Sequence, residues 1–157
     1  MPIHDQLSPD LCNCLALRQA TRHVTQYYDG YLAPVGLRTT QFSILSKLAR
    51  MKTTTINAMA DEMVMDRTTL GRTVQPLERD GLIEVRRGRQ DRRSRELQLT
   101  DAGEARLRHA IIAWEQAQSG FEAAFGDERA ASMRALLREA VATDLGPLAD
   151  GETQPEA

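Results

Sequence analysis

Apolar positions recur at helical spacing along most of the chain, and the rhythm changes between residues 82 and 99. There Leu82-Ile83-Glu84-Val85 and Glu96-Leu97-Gln98-Leu99 alternate as short strands do, enclosing an arginine-rich turn. Just upstream, Asp66 is placed to cap a helix with its carboxylate, and Gly81 supplies a left-handed stop. The interval predicts a helix of about four turns. At 100° per residue, Leu70, Val74 and Leu77 share one side of it, while Thr68, Arg72, Gln75 and Arg79 share the other, with Thr69 beside them. One side is core and the other is free to touch a partner.

The flanking segments read as supports. Ser8-Pro9-Asp10 predicts the start of a helix running to about Leu32, with Cys14, Leu17, Thr21, Val24, Tyr28, Tyr31 and Leu32 as its buried stripe and Tyr27 at the edge. Thr39 or Thr40 is placed to cap a second helix to about Arg50, with Phe42, Leu45 and Leu48 inward, and Met51 to Thr54 reads as a polar turn. Thr55 caps a third, with Ile56, Met59, Ala60 and Met63 on one face, leading directly into the arginine-bearing helix. Supporting helix, tight connection, reading helix and basic hairpin together spell a winged helix-turn-helix.

Thr100 then caps a helix to about Phe125, with Leu107, Ile111, Trp114, Phe121 and Phe125 as its seam and Gln118 interrupting. Gly126 breaks the chain, Asp127 caps, and Met133, Leu136, Leu137, Ala140, Val141 and Leu145 stripe a last helix stopping at Gly146-Pro147. The first and last helices leave apolar faces outside the reading lobe, and a second copy of the chain is the economical cover. Pro76 is a local conflict, since it removes one backbone N–H and should bend the reading helix on its solvent side.

Charge sharpens this picture. From Arg67 to Arg95 nine arginines face Glu78, Asp80, Glu84 and Asp91, a local excess of +5, whereas the chain of 157 residues carries −2 and the remainder therefore −7. A net negative chain is not a nonspecific coat for nucleic acid, but a local basic reader is compatible with it. Arginine forks match phosphate oxygens and guanine edges, and Thr and Gln can reach base edges in a major groove. The 41% hydrophobic and 27% charged composition is that of a soluble domain. No signal sequence and no apolar run of membrane-spanning length is visible, which predicts a cytoplasmic protein and no membrane partner.

Catalysis finds little support. His4, His23 and His109 stand without HxxE, a Gly-rich phosphate loop, a GxSxG elbow or a carboxylate cluster, so no catalytic residue, metal site or cofactor is expected. Cys12 and Cys14 are two apart, about 200° around a helix, which disfavours a mutual disulfide or shared metal. Cys14 reads as a small buried hydrophobe or as an oxidisable thiolate near Tyr28. A thiol-based redox enzyme is the remaining catalytic alternative. A winged helix used for protein contact is the other, and it would show an apolar exposed face where this helix shows Thr, Arg and Gln.

Three motifs carry a family resemblance: LERDGLIE at Leu77 to Glu84, DRRSRELQLTDAG at Asp91 to Gly103, and GLRTTQF at Gly36 to Phe42. With them the chain resembles the MarR family of bacterial winged helix-turn-helix regulators from about Cys12 to Leu145. The resemblance implies a mainly α fold with a small β-hairpin wing. With the patternless N-terminus read as a flexible arm (1–8) and the acidic C-terminus as a disordered tail (146–157), a single MarR-like domain is expected over 9–145. Within the domain, residues 33–100 form the DNA-binding lobe, and 9–32 and 101–145 the dimerisation helices. The resemblance further implies a homodimer that binds double-stranded DNA, in many members releasing it when a small aromatic compound fills the cleft between dimer and DNA lobes.

The residues expected at DNA are Thr68, Thr69, Arg72, Gln75, Arg79, Arg89, Asp91, Arg92 and Arg93, the family's pattern placing Arg93 in the minor groove with Asp91 holding it. His23, Tyr27, Tyr28 and Tyr31 lie on the helix that would border an effector cleft, although core packing also accounts for them. Hydroperoxide-sensing relatives use a cysteine bonded by two tyrosines. Cys14 and Tyr28 match two of those positions, and Thr39 replaces the second tyrosine, which weakens that reading.

Overall fold

The first helix begins later than its capping signal suggests. In the computed structural model, which describes residues 8–146, Ser8 and Pro9 open only a 3-10 turn over Pro9–Leu11. Cys12 is extended, and its Sγ accepts the Leu15 N–H at 3.4 Å, so Cys12 caps helix α1 (Asn13–Leu32). Because Cys12 is not helical, the two cysteines are not spaced around one helix as their separation in sequence suggests. Residues 1–7 of the expected arm and 147–157 of the expected tail lie outside the described residues.

Helix α2 (Thr39–Met51) starts from Arg38 rather than from a threonine cap. The Gln41 side chain accepts the Arg38 N–H at 2.9 Å, and Asp29, reaching from α1, takes both the Thr39 N–H and its hydroxyl at 2.7 Å. Beyond α2, the expected polar turn is a strand, β1 (Thr53–Thr55), reached through Lys52 at a left-handed φ of 68°. β-Branched threonine suits a strand, and Thr54 is buried, but three residues are too few for alternation to register. Thr55 caps α3 (Ile56–Glu62) by accepting the Ala58 N–H at 3.1 Å, as expected.

Helix α4 (Arg67–Arg79) runs from Asp66 to a Gly81 with φ 71°. It continues through Pro76, whose carbonyl accepts the Asp80 N–H at 2.9 Å. Strands β2 (Ile83–Arg87) and β3 (Arg95–Leu99) form the hairpin, and β3 lies centrally in an antiparallel sheet of order β1-β3-β2. Thr100 opens α5 (Asp101–Phe125), accepting the Gly103 N–H at 3.0 Å while donating its hydroxyl to the Gly81 carbonyl at 2.6 Å. The last helix, α6 (Asp127–Ala142), starts from Gly126 and ends before Gly146, with Asp127 as its first residue instead of its cap.

The described residues fall into two compact units that part between Gln118 and Ser119. In the first, Leu45, Leu48, Leu70, Val74, Leu77 and Leu97 meet in one core, and Trp114 stacks on Phe42 at 5.9 Å. Ile44, which periodicity does not select, is also fully buried, because α2 is covered by α1, α4 and the sheet on several sides. In the second, Ala130 is buried, Arg129 lies over the Phe125 ring at 4.5 Å, and Arg134 reaches Glu122 at 2.8 Å. Among the described residues no helix is long and apolar enough to cross a membrane.

The stripe expected to be buried on α1 is mostly not. Tyr28 and Leu32 are, whereas Cys14, Leu17, Thr21 and Tyr31 stand exposed among the described residues. Leu136, Leu137 and Val141 of α6 are exposed too.

The Asp29 tie makes a pH prediction. Burial pushes its carboxyl up, but the Thr39 amide and hydroxyl and then Arg38 outweigh that and hold it below the usual 3.8. A depressed folded value contributes stability above the unfolded one and loses it as pH falls through the folded one. Asp29→Asn is therefore expected to unfold earlier than wild type at neutral pH, with the difference shrinking below about pH 4. Urea midpoints measured between neutral and acid pH check this; a constant gap would remove the role.

Candidate nucleic-acid interface

The exposed face of α4 is built by its cap and its core side together. Asp66 Oδ1 accepts the Thr69 N–H at 2.8 Å, and its other oxygen accepts the Thr69 hydroxyl at 2.6 Å. These bonds, the hydroxyl's first, hold the Asp66 carboxyl below its ordinary range. With Leu70, Val74 and Leu77 buried, Thr68, Thr69, Arg72, Gln75 and Arg79 all face solvent. Thr69 has already spent its proton on Asp66, so toward a partner it offers lone pairs and a methyl group. Arg79 Nε contacts Asp80 at 3.1 Å, an exposed pair of small energetic weight. The side chains of Thr68, Arg72 and Gln75 make no hydrogen bond or ion pair among the described residues.

The wing tip is tied by short bonds. Gly88 N–H donates to the Ser94 carbonyl at 2.9 Å, and the Ser94 hydroxyl donates to the Asp91 carbonyl at 2.7 Å. The turn closes so tightly that a β-carbon on Gly88 would lie 2.0 Å from Ser94 Oγ and 2.4 Å from the Asp91 carbonyl oxygen. Asp91 does hold Arg93, but through the backbone. Its Oδ1 accepts the Arg93 N–H at 2.8 Å, the local bond an aspartate makes two residues on in a turn, and the guanidinium is left unengaged.

Arg86 is paired with Glu84 at 2.6 Å, a hydrogen bond that raises the guanidinium further and lowers the carboxyl. Arg89 gives its backbone N–H to Glu96 at 3.2 Å, but the guanidiniums of Arg87, Arg89, Arg92, Arg93 and Arg95 have no acidic partner among the described residues. The expected DNA set thus falls on two adjoining surfaces, the outer face of α4 and the wing.

The expected effector residues form a separate group. Tyr27 packs edge-on against Tyr28 at 5.6 Å and beside Tyr31 at 5.3 Å, and the hydrogen bond to Tyr31 raises the Tyr27 phenol. Tyr28 donates its hydroxyl to Gln118 Oε1 at 2.6 Å, so the residue that interrupts the α5 seam has a polar partner. His23, Cys12 and Cys14 are exposed. A cleft of about 850 Å³ does border α4, lined by Asp29, Leu37, Arg38, Met65, Thr69 and Pro76 among others, and not by His23 or the tyrosines. Among the described residues no group of three His, Cys, Asp or Glu is placed to hold a metal ion.

A family model described as the MarR family matches residues 37–94. The M. tuberculosis transcriptional regulator MosR, solved in complex with DNA, is 36% identical to this chain, covering 83% of it and 96% of MosR, at a TM-score of 0.73.

The chain belongs to the MarR family.

Another similar structure is the transcriptional repressor CouR bound to a 23-mer DNA duplex, 26% identical over 83% of this chain and 92% of CouR, with a TM-score of 0.76. The organic hydroperoxide resistance transcriptional regulator of Bacillus subtilis (strain 168) is 29% identical over 90 residues, 57% of this chain. The match spans 61% of that curated relative's length.

Within this MarR-family chain, the sequence pattern does not single out Gly71, Gly88, Ser94 or Arg95. Gly88 and Ser94 lie within the arginine run, yet a glycine required by close approach looks like any other turn glycine in sequence. Arg95 stands out in sequence only as charge, but it lines a concavity with Thr68, Arg72 and Gln75.

Proposed function

We propose that this protein is a homodimeric repressor that reads a palindromic DNA site. The observation that carries the reading is the unbonded Thr68, Arg72 and Gln75 face of α4 standing beside a wing on which, Arg86 apart, the guanidiniums of Arg87, Arg89, Arg92, Arg93 and Arg95 have no acidic partner among the described residues. Thr68, Thr69, Arg72 and Gln75 meet base edges or adjacent phosphates, Arg79 meets the backbone, and Arg89, Arg92 and Arg93 enter the flanking minor groove, with Asp91 shaping the turn that presents them. MosR and CouR, both solved with DNA, support it. So does the apolar surface left open on α1 and α6, which a second copy would cover.

Release of DNA follows from a small aromatic ligand in the cleft beside α4 or from oxidation of an exposed cysteine. The cleft's Arg38 guanidinium and apolar Leu37 and Met65 support the first route. The exposure of Cys14 supports the second, whereas Tyr28 is engaged with Gln118, and the Thr39 hydroxyl, at the position of the second tyrosine, belongs to Asp29.

Selection of genomic fragments by the reduced protein, followed by footprinting of the best fragment at two salt concentrations, tests the core of this. A symmetric footprint of roughly 20 base pairs that weakens steeply with salt is the expected result. Failure to enrich any fragment, with ligand removed and thiols reduced, would overturn it.

A further inference from the structure

Among the described residues nothing requires a glycine at Gly71. It stands mid-helix in α4 with an ordinary negative φ, and a β-carbon built there meets nothing within 4 Å. Glycine is among the poorest residues for a helix interior, and neither a close neighbour nor a left-handed backbone requires it at this position. By helical geometry it lies about 40° from Gln75 and about 60° from Thr68, on the flank turned toward the wing. That flank is the floor of a concavity of about 310 Å³ walled by Thr68, Arg72, Gln75, Glu78, Val85 and Arg95. Two guanidiniums against one carboxylate give the hollow a positive balance, and the threonine and glutamine add groups that match base edges.

We propose that Gly71 is a specificity-determining position: its missing side chain leaves a slot between α4 and the root of the wing that admits the edge of a major-groove base pair. Arg95 stands across the slot to meet the adjoining phosphate. This role rests on the DNA-reading function proposed above and adds the point of closest approach. A methyl group on Gly71 would hold the base edge away from Arg72 and Gln75 without disturbing anything in the free protein.

The test uses a duplex selected from a random library by wild-type protein, and a scrambled duplex of equal length, with Gly71→Ala compared to wild type. The variant is expected to melt at a higher temperature yet bind the selected duplex about tenfold or more weakly. Its affinity for the scrambled duplex stays unchanged. Equal affinity for the selected duplex would overturn the inference, and so would a lower melting temperature, since glycine would then serve the fold. If wild type selects no sequence, the DNA-reading function itself fails and takes this inference with it.

Discussion

Gly103→Ala is expected to destabilise the protein by more than about 3 kcal/mol, although helix propensity alone would have it gain about 1 kcal/mol. Gly103 sits in the first turn of α5, where a β-carbon would lie 1.9 Å from the Leu82 carbonyl oxygen and 2.9 Å from its carbon. Both are backbone atoms, so no rotamer change relieves the clash. The crossing is also fastened on each side: Thr100 N–H donates to that same carbonyl at 3.2 Å, and the Thr100 hydroxyl donates to Gly81. Pushing α5 off Leu82 therefore strains several bonds at once. For a domain whose whole stability is about 5–15 kcal/mol, the loss is a large fraction. Urea unfolding of Gly103→Ala beside Gly71→Ala is a direct comparison, because the same chemical change in two helices should act with opposite sign. A Gly103→Ala midpoint at or above wild type would mean that the close approach does not exist in solution.

The second large effect concerns DNA, and it separates two kinds of arginine. Arg72→Ala is expected to cost about 1–3 kcal/mol per half-site on the selected sequence and little on random DNA, if its fork spans a guanine edge. Arg89→Ala is expected to weaken both alike and to lower the salt slope by about one for each phosphate it no longer neutralises. In a dimer each change enters twice. Anisotropy titrations of both variants on selected and random duplexes across a salt series decide it. Equal losses on the two duplexes for Arg72→Ala would move that residue from reading to simple attraction.

What the sequence could disclose depended on how local the cause was. The bounds of α4 were legible because Asp66 and Gly81 act within one turn of themselves, and its two faces because burial of Leu70, Val74 and Leu77 follows from period alone. The capping signal at Ser8-Pro9 was real but brief, opening a 3-10 turn before Cys12 restarted the helix. Strand β1 was hidden because its identity comes from pairing with β3, Thr54 against Leu97, forty-odd residues away in sequence. Periodicity marked the α1 stripe as apolar without saying what covers it, and one chain leaves Leu17 and Tyr31 open. Gly71 and Gly103 look alike in sequence, and only the atoms opposite them, none and Leu82, tell them apart.

The sheet itself bears on solubility. A three-stranded sheet has two open edges, and an open edge is a template on which another chain can add a strand and begin an aggregate. Here the two edges are blunted by different means. On one side β1 covers β3 and ends after Thr53–Thr55, too short to guide a stranger into register. On the other, β2 ends in Arg86, paired with Glu84, and in Arg87, whose guanidinium has no acidic partner among the described residues and would meet its like on a second copy approaching edge to edge. An arginine that makes the wing basic thus also works against the joining of two copies through their sheets.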